Sequence, residues 1–285
     1  MGVIYFNGIS SKDVGIEVET YPRYEIPEKN VTTYEIPGRN GNIVVDNGTF
    51  KNAITSYDVS FLTEDGEYNS QIHKIAAWLY SPSGYAILED SYDIEYYRMA
   101  RISSSTDFEN LFNKAGKATL EFDCKPQRFL KDGDKTRSIN SETGIIEDGP
   151  NSSIFISIEL HNPTLFSSYP IIKIYNQSKL DITKRISYFK VGDTTIKFSD
   201  LIQDATKLSY DLINIVIDFE THNAYYYNSN DEESKKYALS AYAYSKLFDK
   251  CINLVPGDNI IKIHLPSNSA KDSVYMEIIP RWWTL

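Results

Sequence analysis

The sequence predicts a mainly β protein in two domains: a β-sandwich-like first domain with one α-helix, then an antiparallel β-sandwich. Three observations carry this. The 285 residues include 22 Tyr, 13 Phe and 3 Trp, side chains that suit pleated, half-buried surfaces. Short apolar or alternating runs are punctuated by Asn-Gly and Gly-Asn pairs, the turn chemistry of tight hairpins. Only one segment clearly places its apolar residues at helical spacing. At roughly 150 residues per domain, the length fits two cores that need no metal or disulfide.

The elements follow in order. VIYF (3–6) runs into Asn7-Gly8. VTTYEI (31–36) enters the turn PGRNG (37–41), and NIVV (42–45) enters Asp46-Asn47-Gly48. In TSYDVSFL, Tyr57, Val59 and Phe61 alternate with Ser56, Asp58 and Ser60, so one face can be buried and the other hydrated. In YNSQIHKIAAWLY, Ile72, Ile75, Ala76 and Leu79 have helical spacing, Asn69 or Ser70 is placed to cap, and Ser81-Pro82-Ser83-Gly84 is the stop. Strand patterns return in YAIL (85–88), EYYRMARIS (95–103) and KATLEFDC (117–124).

The polar, Gly- and Asp-rich stretch 131–153 reads as a linker, giving domains 1–130 and 154–285. After it come IFISIEL (154–160), PIIKIY (170–175), TTIKF (194–198), LINIVIDF (212–219), NIIKIHL (259–265) and VYMEII (274–279). Short strands at short intervals with little helix suggest a sandwich. In the stretch 228–250 a charged loop is followed by a segment for which helix and irregular structure both stay open.

Apolar residues make up 41% and charged residues 24%, with mean hydropathy −0.37, which excludes a disordered chain and an integral membrane protein. A net charge of −10 argues against gripping nucleic-acid phosphates, whose affinity comes from Lys and Arg. The first 130 residues carry 12 basic and 19 acidic side chains, net −7. Cys124 and Cys251 have no metal spacing and read as buried free thiols. The start MGVIYFNGISSKD has no signal-peptide pattern, and no run approaches a membrane span, so folding in a cytoplasm without membrane insertion is expected.

The chemistry of an enzyme is missing, so none is expected, nor any catalytic, cofactor or metal site. His73, His161, His222 and His264 stand in no HExxH or nucleophile-paired pattern. Asp218 and Glu220, at i and i+2, are expected on one strand face as structural carboxylates. Asn228, Asn230 and Glu232 alternate as in a calcium loop, but Glu233 occupies the position that needs Gly. Candidate interface residues are Arg39 and Asn40 in the PGRNG turn, Tyr225, Tyr226 and Tyr227, and Trp283. Neighbouring Trp282 and Trp283 must point to opposite faces, so at most one lies in the core.

Taken in order, FNGISSKDVGI, PGRNG, AAWLYSPSGY, EYYRMARI and FDCKPQRFL resemble the N-terminal domain of the distal tail protein family of long-tailed bacteriophages. NPTLFSSYPIIKIY, IDFETHNAYY, LVPGDNIIKI and MEIIPRWWTL resemble that family's galectin-like C-terminal β-sandwich. The resemblance implies a structural protein of the virion tail tip or baseplate. Six copies would form a ring by their first domains, joining the major tail protein of the tube to the tail-associated lysin or hub, with host-recognition proteins as further partners. DNA would pass through the channel without specific binding. The competing expectation is a carbohydrate-binding module, with Tyr225, Tyr226, Tyr227, Tyr237, Tyr242 and Tyr244 stacking on cell-wall sugars.

Overall fold

The computed structural model describes residues 2–64, 66–104, 106–111, 114–176, 186–197, 213–228, 237–239, 241–250, 252–267 and 274–285. The chain divides into two compact units, Met1–Lys131 with Thr284–Leu285, and Asp132–Trp283.

In the first unit β1 (Ile4–Phe6), β2 (Ile9–Ser10), β3 (Glu17–Val18), β4 (Arg23–Tyr24), β5 (Lys29–Tyr34), β6 (Ile43–Phe50) and β7 (Ala53–Leu62) precede the helix α1 (Tyr68–Tyr80). After it come β8 (Ala86–Asp90), β9 (Tyr96–Ile102), β10 (Glu109–Leu111) and β11 (Ala115–Leu130). The main sheet runs β2-β1-β8-β9-β11-β7-β3, with β4 on β7 and β10 on β11. Asn7 and Gly8 both take positive φ, as a two-residue hairpin turn between β1 and β2 requires. Burial alternates strictly along β7, so Tyr57, Val59 and Phe61 enter the core with Phe6, Leu120 and Phe122. Helix α1 buries Ile75, Trp78 and Leu79, and the Trp78 indole N–H donates to the Phe6 carbonyl at 3.2 Å. Its N-cap is Glu67, with no side-chain cap bond; the expected caps Asn69 and Ser70 lie inside the first turn.

One buried polar network stands out. The Asp90 carboxylate, in a residue only 5% exposed, accepts from Tyr57 at 2.6 Å, from Tyr24 at 2.8 Å, and from the backbone N–H groups of Tyr92 and Asp93. Cys124 is a buried free thiol, pushed up to about 11 chiefly by desolvation. Cys251 lies outside the described residues.

The second unit is a β-sandwich. One sheet runs β13 (Ile145–Asp148), β14 (Ile154–Asn162), β21 (Gly257–Leu265), β16 (Tyr188–Val191), β17 (Thr194–Lys197). The other runs β12 (Arg137–Ile139), β22 (Val274–Ile279), β15 (Ile171–Asn176), β18 (Ile213–Asp218), β19 (Asn223–Asn228), β20 (Tyr237–Ala238). The buried rows alternate along the strands: Ile154, Ile156, Ile261, Ile263 and Phe189 on the first sheet, Ile172, Ile174, Ile215, Ile217, Met276 and Ile278 on the second. A short helix α2 (Ala241–Phe248) falls in the stretch that gave no clear pattern.

The segment expected as a linker is structured. A 3-10 turn spans Lys131–Asp134, β12 pairs with β22, and β13 pairs with β14. The second unit therefore begins at Asp132, not near 154. Both strands are sheet edges, where charged and polar residues are the usual protection, and that composition imitates a linker. Among the described residues no helix is long and apolar enough to cross a membrane.

Candidate functional site

Strands β5 and β6 form a two-stranded sheet of their own. Across the pair, Tyr34 faces Ile43 and Thr32 faces Val45 on one side, while Thr33 faces Val44 and Val31 faces Asp46 on the other. Apolar side chains are exposed on both sides, Tyr34 at 56% and Val45 at 46% on one, Val44 at 61% and Val31 at 40% on the other. The ribbon is tied internally by polar contacts: Lys29 to Asp46 at 3.0 Å, Asn30 to Thr49 at 3.1 Å and Asn47 to Thr32 at 3.1 Å. Gly48, at positive φ, donates its N–H to Asp46 beside a register shift. The Asp46 carboxyl is held below its usual range first by that Gly48 N–H and then by Lys29. Arg39 and Asn40 are exposed at the tip, between Gly38 and Gly41, both at positive φ.

An isolated two-stranded hairpin is marginal in water, and contiguous exposed apolar surface marks an interaction site. The arm is therefore a candidate interaction surface. Its sequence signal was the apolar content of VTTYEI and NIVV; what the sequence did not show is that, among the described residues, no third strand pairs with them.

The second candidate is the outward face of the six-stranded sheet. Register places Tyr275, Tyr175, Asn214 and Tyr227 in one cross-strand row, and Glu277, Lys173, Val216 and Tyr225 in the next. Tyr175 and Tyr275 stack at 4.6 Å, Tyr225 and Tyr227 sit at 6.5 Å, and the Tyr175 hydroxyl donates to Glu277 at 3.1 Å. Desolvation, then Glu277, pushes the Tyr175 hydroxyl up. Among the described residues of the predicted tyrosine cluster, Tyr225 and Tyr227 share this face. Tyr226 points to the opposite side, opposite Ile215, and Tyr244 lies on α2 with its hydroxyl donating to the His222 carbonyl at 2.6 Å. The side chains of Tyr237 and Tyr242 lie outside the described residues. Tyr175 and Tyr275 were missed, although IKIY and VYME each place a Tyr in an alternating run.

The remaining candidates make the following contacts within the chain. Trp282 is buried, while Trp283 is half-buried, stacks on Phe166 at 4.6 Å and donates its indole N–H to the Ser167 carbonyl at 3.0 Å. Asp218 and Glu220 both hold Arg281, at 3.1 and 3.2 Å. Glu220 is not on the strand, since β18 ends at Asp218, whose carboxylate accepts the Glu220 and Thr221 N–H groups in a turn. His161 meets Asp258 at 2.6 Å on the surface, and His264 stacks on Tyr188 and meets Phe155 at a tilt. Asn230, Glu232 and Glu233 of the rejected calcium loop lie outside the described residues. Among the described residues no three His, Cys, Asp or Glu side chains gather as a metal site would require.

The phage tail protein RIFT-related domain family matches residues 11–124. A search of the curated proteins gives no match. Among solved structures, the chain is similar to SPP1 Dit, described as a paradigm of hub adsorption apparatus in Gram-positive infecting phages. Identity is 12%, TM-score 0.55, and the likeness covers 92% of this chain and 98% of that one. The resemblance to distal tail proteins thus has two findings beside it: residues 11–124 match the model of the phage tail protein RIFT-related domain family, and the chain is similar in fold to SPP1 Dit over nearly its whole length.

Proposed function

We propose that the protein is a non-enzymatic structural component of a phage tail tip. Six copies form a ring through the first unit, link the major tail protein of the tube to the tail-associated lysin or hub, and leave a channel for DNA. It is assembled in the bacterial host cytoplasm, and host-recognition proteins join the same complex. The observation that carries this reading is the β5–β6 arm, whose apolar residues are exposed on both sides among the described residues. A ring grows by head-to-tail contact between unlike surfaces, and a projecting arm that completes itself on the next copy supplies one of them. The acidic balance of residues 1–130, net −7, favours a wall that DNA slides past.

The test is mass photometry and particle imaging of the full chain beside a Tyr34→Lys, Val44→Lys double variant. Six-fold rings are expected for the parent and monomers with an unchanged Tm for the variant. Rings that survive the double substitution would remove the arm from the interface. Duplex DNA should show no salt-sensitive submicromolar binding to the ring.

A second reading is favoured by the row of tyrosines on the six-stranded sheet, which offers ring faces and polar groups to a cell-wall sugar. Binding of purified wall polysaccharide that is lost in a Tyr225→Ala, Tyr227→Ala variant would add that role; equal binding by both proteins would exclude it.

A further inference from the structure

Three Asn-Gly pairs punctuate the sequence, Asn7-Gly8, Asn40-Gly41 and Asn47-Gly48, all in the first unit. Such a pair can react with itself, because a glycine without Cβ leaves its backbone nitrogen open to approach by the asparagine Cγ. The reaction needs a side-chain amide that can turn back along the chain, a glycine N–H held by no acceptor, and a backbone that can rotate between the two residues. The fold grants these freedoms unequally.

Asn47 lies within β6, its side-chain amide donating to Thr32 at 3.1 Å and to Asn30 at 3.4 Å. The Gly48 N–H donates to Asp46 at 2.9 Å, and a carboxylate seated on that proton opposes its loss. Asn7 and Gly8 fill the two-residue turn between β1 and β2, both at positive φ, with Phe6 paired to Ile9 and the Asn7 N–H donating to the Ile87 carbonyl at 3.0 Å. Rotating the peptide between them would break that turn. Asn40 differs on each count. The ladder between β5 and β6 stops at Tyr34 and Ile43, and residues 35–42 lie beyond it. Asn40 and Gly41 are exposed, no hydrogen bond joins either of them to another described residue, and the space where a Gly41 Cβ would stand is open. The one charge between Ile36 and Ile43 is Arg39, a cation, which favours the anionic nitrogen that Asp46 disfavours at the other pair.

We infer that Asn40 is a site of spontaneous covalent modification, converted in the folded chain to a mixture of isoaspartate and aspartate ahead of Asn7 and Asn47. The Gly41 nitrogen gives its proton to solvent and attacks the Asn40 Cγ. A bond forms between them, the bond from Cγ to the side-chain nitrogen breaks, and that nitrogen takes up a proton and leaves as ammonia. Water then adds to either carbonyl of the five-membered imide ring and opens it. The product replaces a neutral amide next to Arg39 by a carboxylate, and the isoaspartyl form carries an extra methylene in the backbone of the arm tip.

The test ages the folded full chain at mildly alkaline and mildly acidic pH and cuts it after lysine. Mass spectrometric sequencing of the Asn30–Lys51 peptide separates Asn40 from Asn47, and the Met1–Lys12 peptide reports Asn7. Enzymatic methylation of isoaspartyl carboxyls is the second readout. The mass gain of an amide-to-acid exchange is expected several-fold faster at Asn40 than at Asn7 or Asn47, faster at the alkaline pH, and lost from that position in an Asn40→Gln variant of unchanged Tm. In urea, where turn and arm are gone, the three rates should converge. Equal rates in the folded chain, or reaction at Asn7 or Asn47 ahead of Asn40, overturns the assignment; so does an Asn40 rate that unfolding raises as much as the other two.

Discussion

The Tyr57 hydroxyl donates to the Asp90 carboxylate at 2.6 Å, in a core where both residues are almost wholly buried. The phenol brings the main β7 strand to the end of β8, and the acid it meets is a charge that only hydrogen bonds make tolerable. Tyr57→Phe keeps the ring and deletes one of four donors. Losing a hydrogen bond to a buried charge costs about 1.5–3 kcal/mol, so the urea midpoint should fall accordingly with an unchanged slope. Tyr24→Phe should cost less, since Tyr24 is half-buried and its loss can be met by water.

His264 carries a pH signature. Desolvation lowers its pKa from the ordinary 6.5, and its Nδ1 is buried without a partner. In the unfolded chain the imidazole takes a proton below about pH 6.5, whereas in the fold it resists, so this residue's contribution is lost as pH falls. His264→Phe keeps the stack with Tyr188 and Phe155 and removes the titration. Urea midpoints between pH 7.5 and 5 should fall less steeply in the variant than in the parent.

Gly133 is glycine for reasons of space. A Cβ there would stand 2.5 Å from the Trp282 backbone nitrogen and 3.1 Å from its Cβ. Gly133→Ala should cost about 1–3 kcal/mol, the usual penalty of overpacking, read as a lower Tm. An unchanged Tm would mean that the Trp282 backbone yields at no cost.

Limited trypsin should cut after Arg39 before it cuts after Lys135 or Arg137. Arg39 is exposed at the tip of a two-stranded arm, whereas Lys135 is paired with Asp132 and Arg137 lies in β12, bonded to β22. Mass spectrometry of the first fragments decides the order. Assembly through the arm should slow that cut.

Most of this architecture could be read because burial in a sheet leaves a period of two. Tyr57, Val59 and Phe61 announced β7, and Tyr68–Tyr80 was legible as a helix from Ile72, Ile75 and Leu79. Edge strands escaped: β12 and β13 bury little, so Arg137, Ser138 and Glu147 look like loop. β16 was hidden because YFKV is too short for its alternation to register. The β5–β6 pair was seen as strands but not as an arm, since exposure depends on what fails to pack there. Arg98 and Arg128 are 30 positions apart in the numbering, and only strand register pairs them.

The Arg281 N–H donates to the Gly133 carbonyl at 2.8 Å, so the second unit is fastened where the chain runs into it and where it runs out. Such a closed loop is, in genetic terms, a cassette. Two recombination crossovers, one beside Asp132 and one beside Trp283, would exchange the whole sandwich while leaving every strand of residues 1–131 uninterrupted. Selection could then remodel the second unit while it holds the strands of the first one constant.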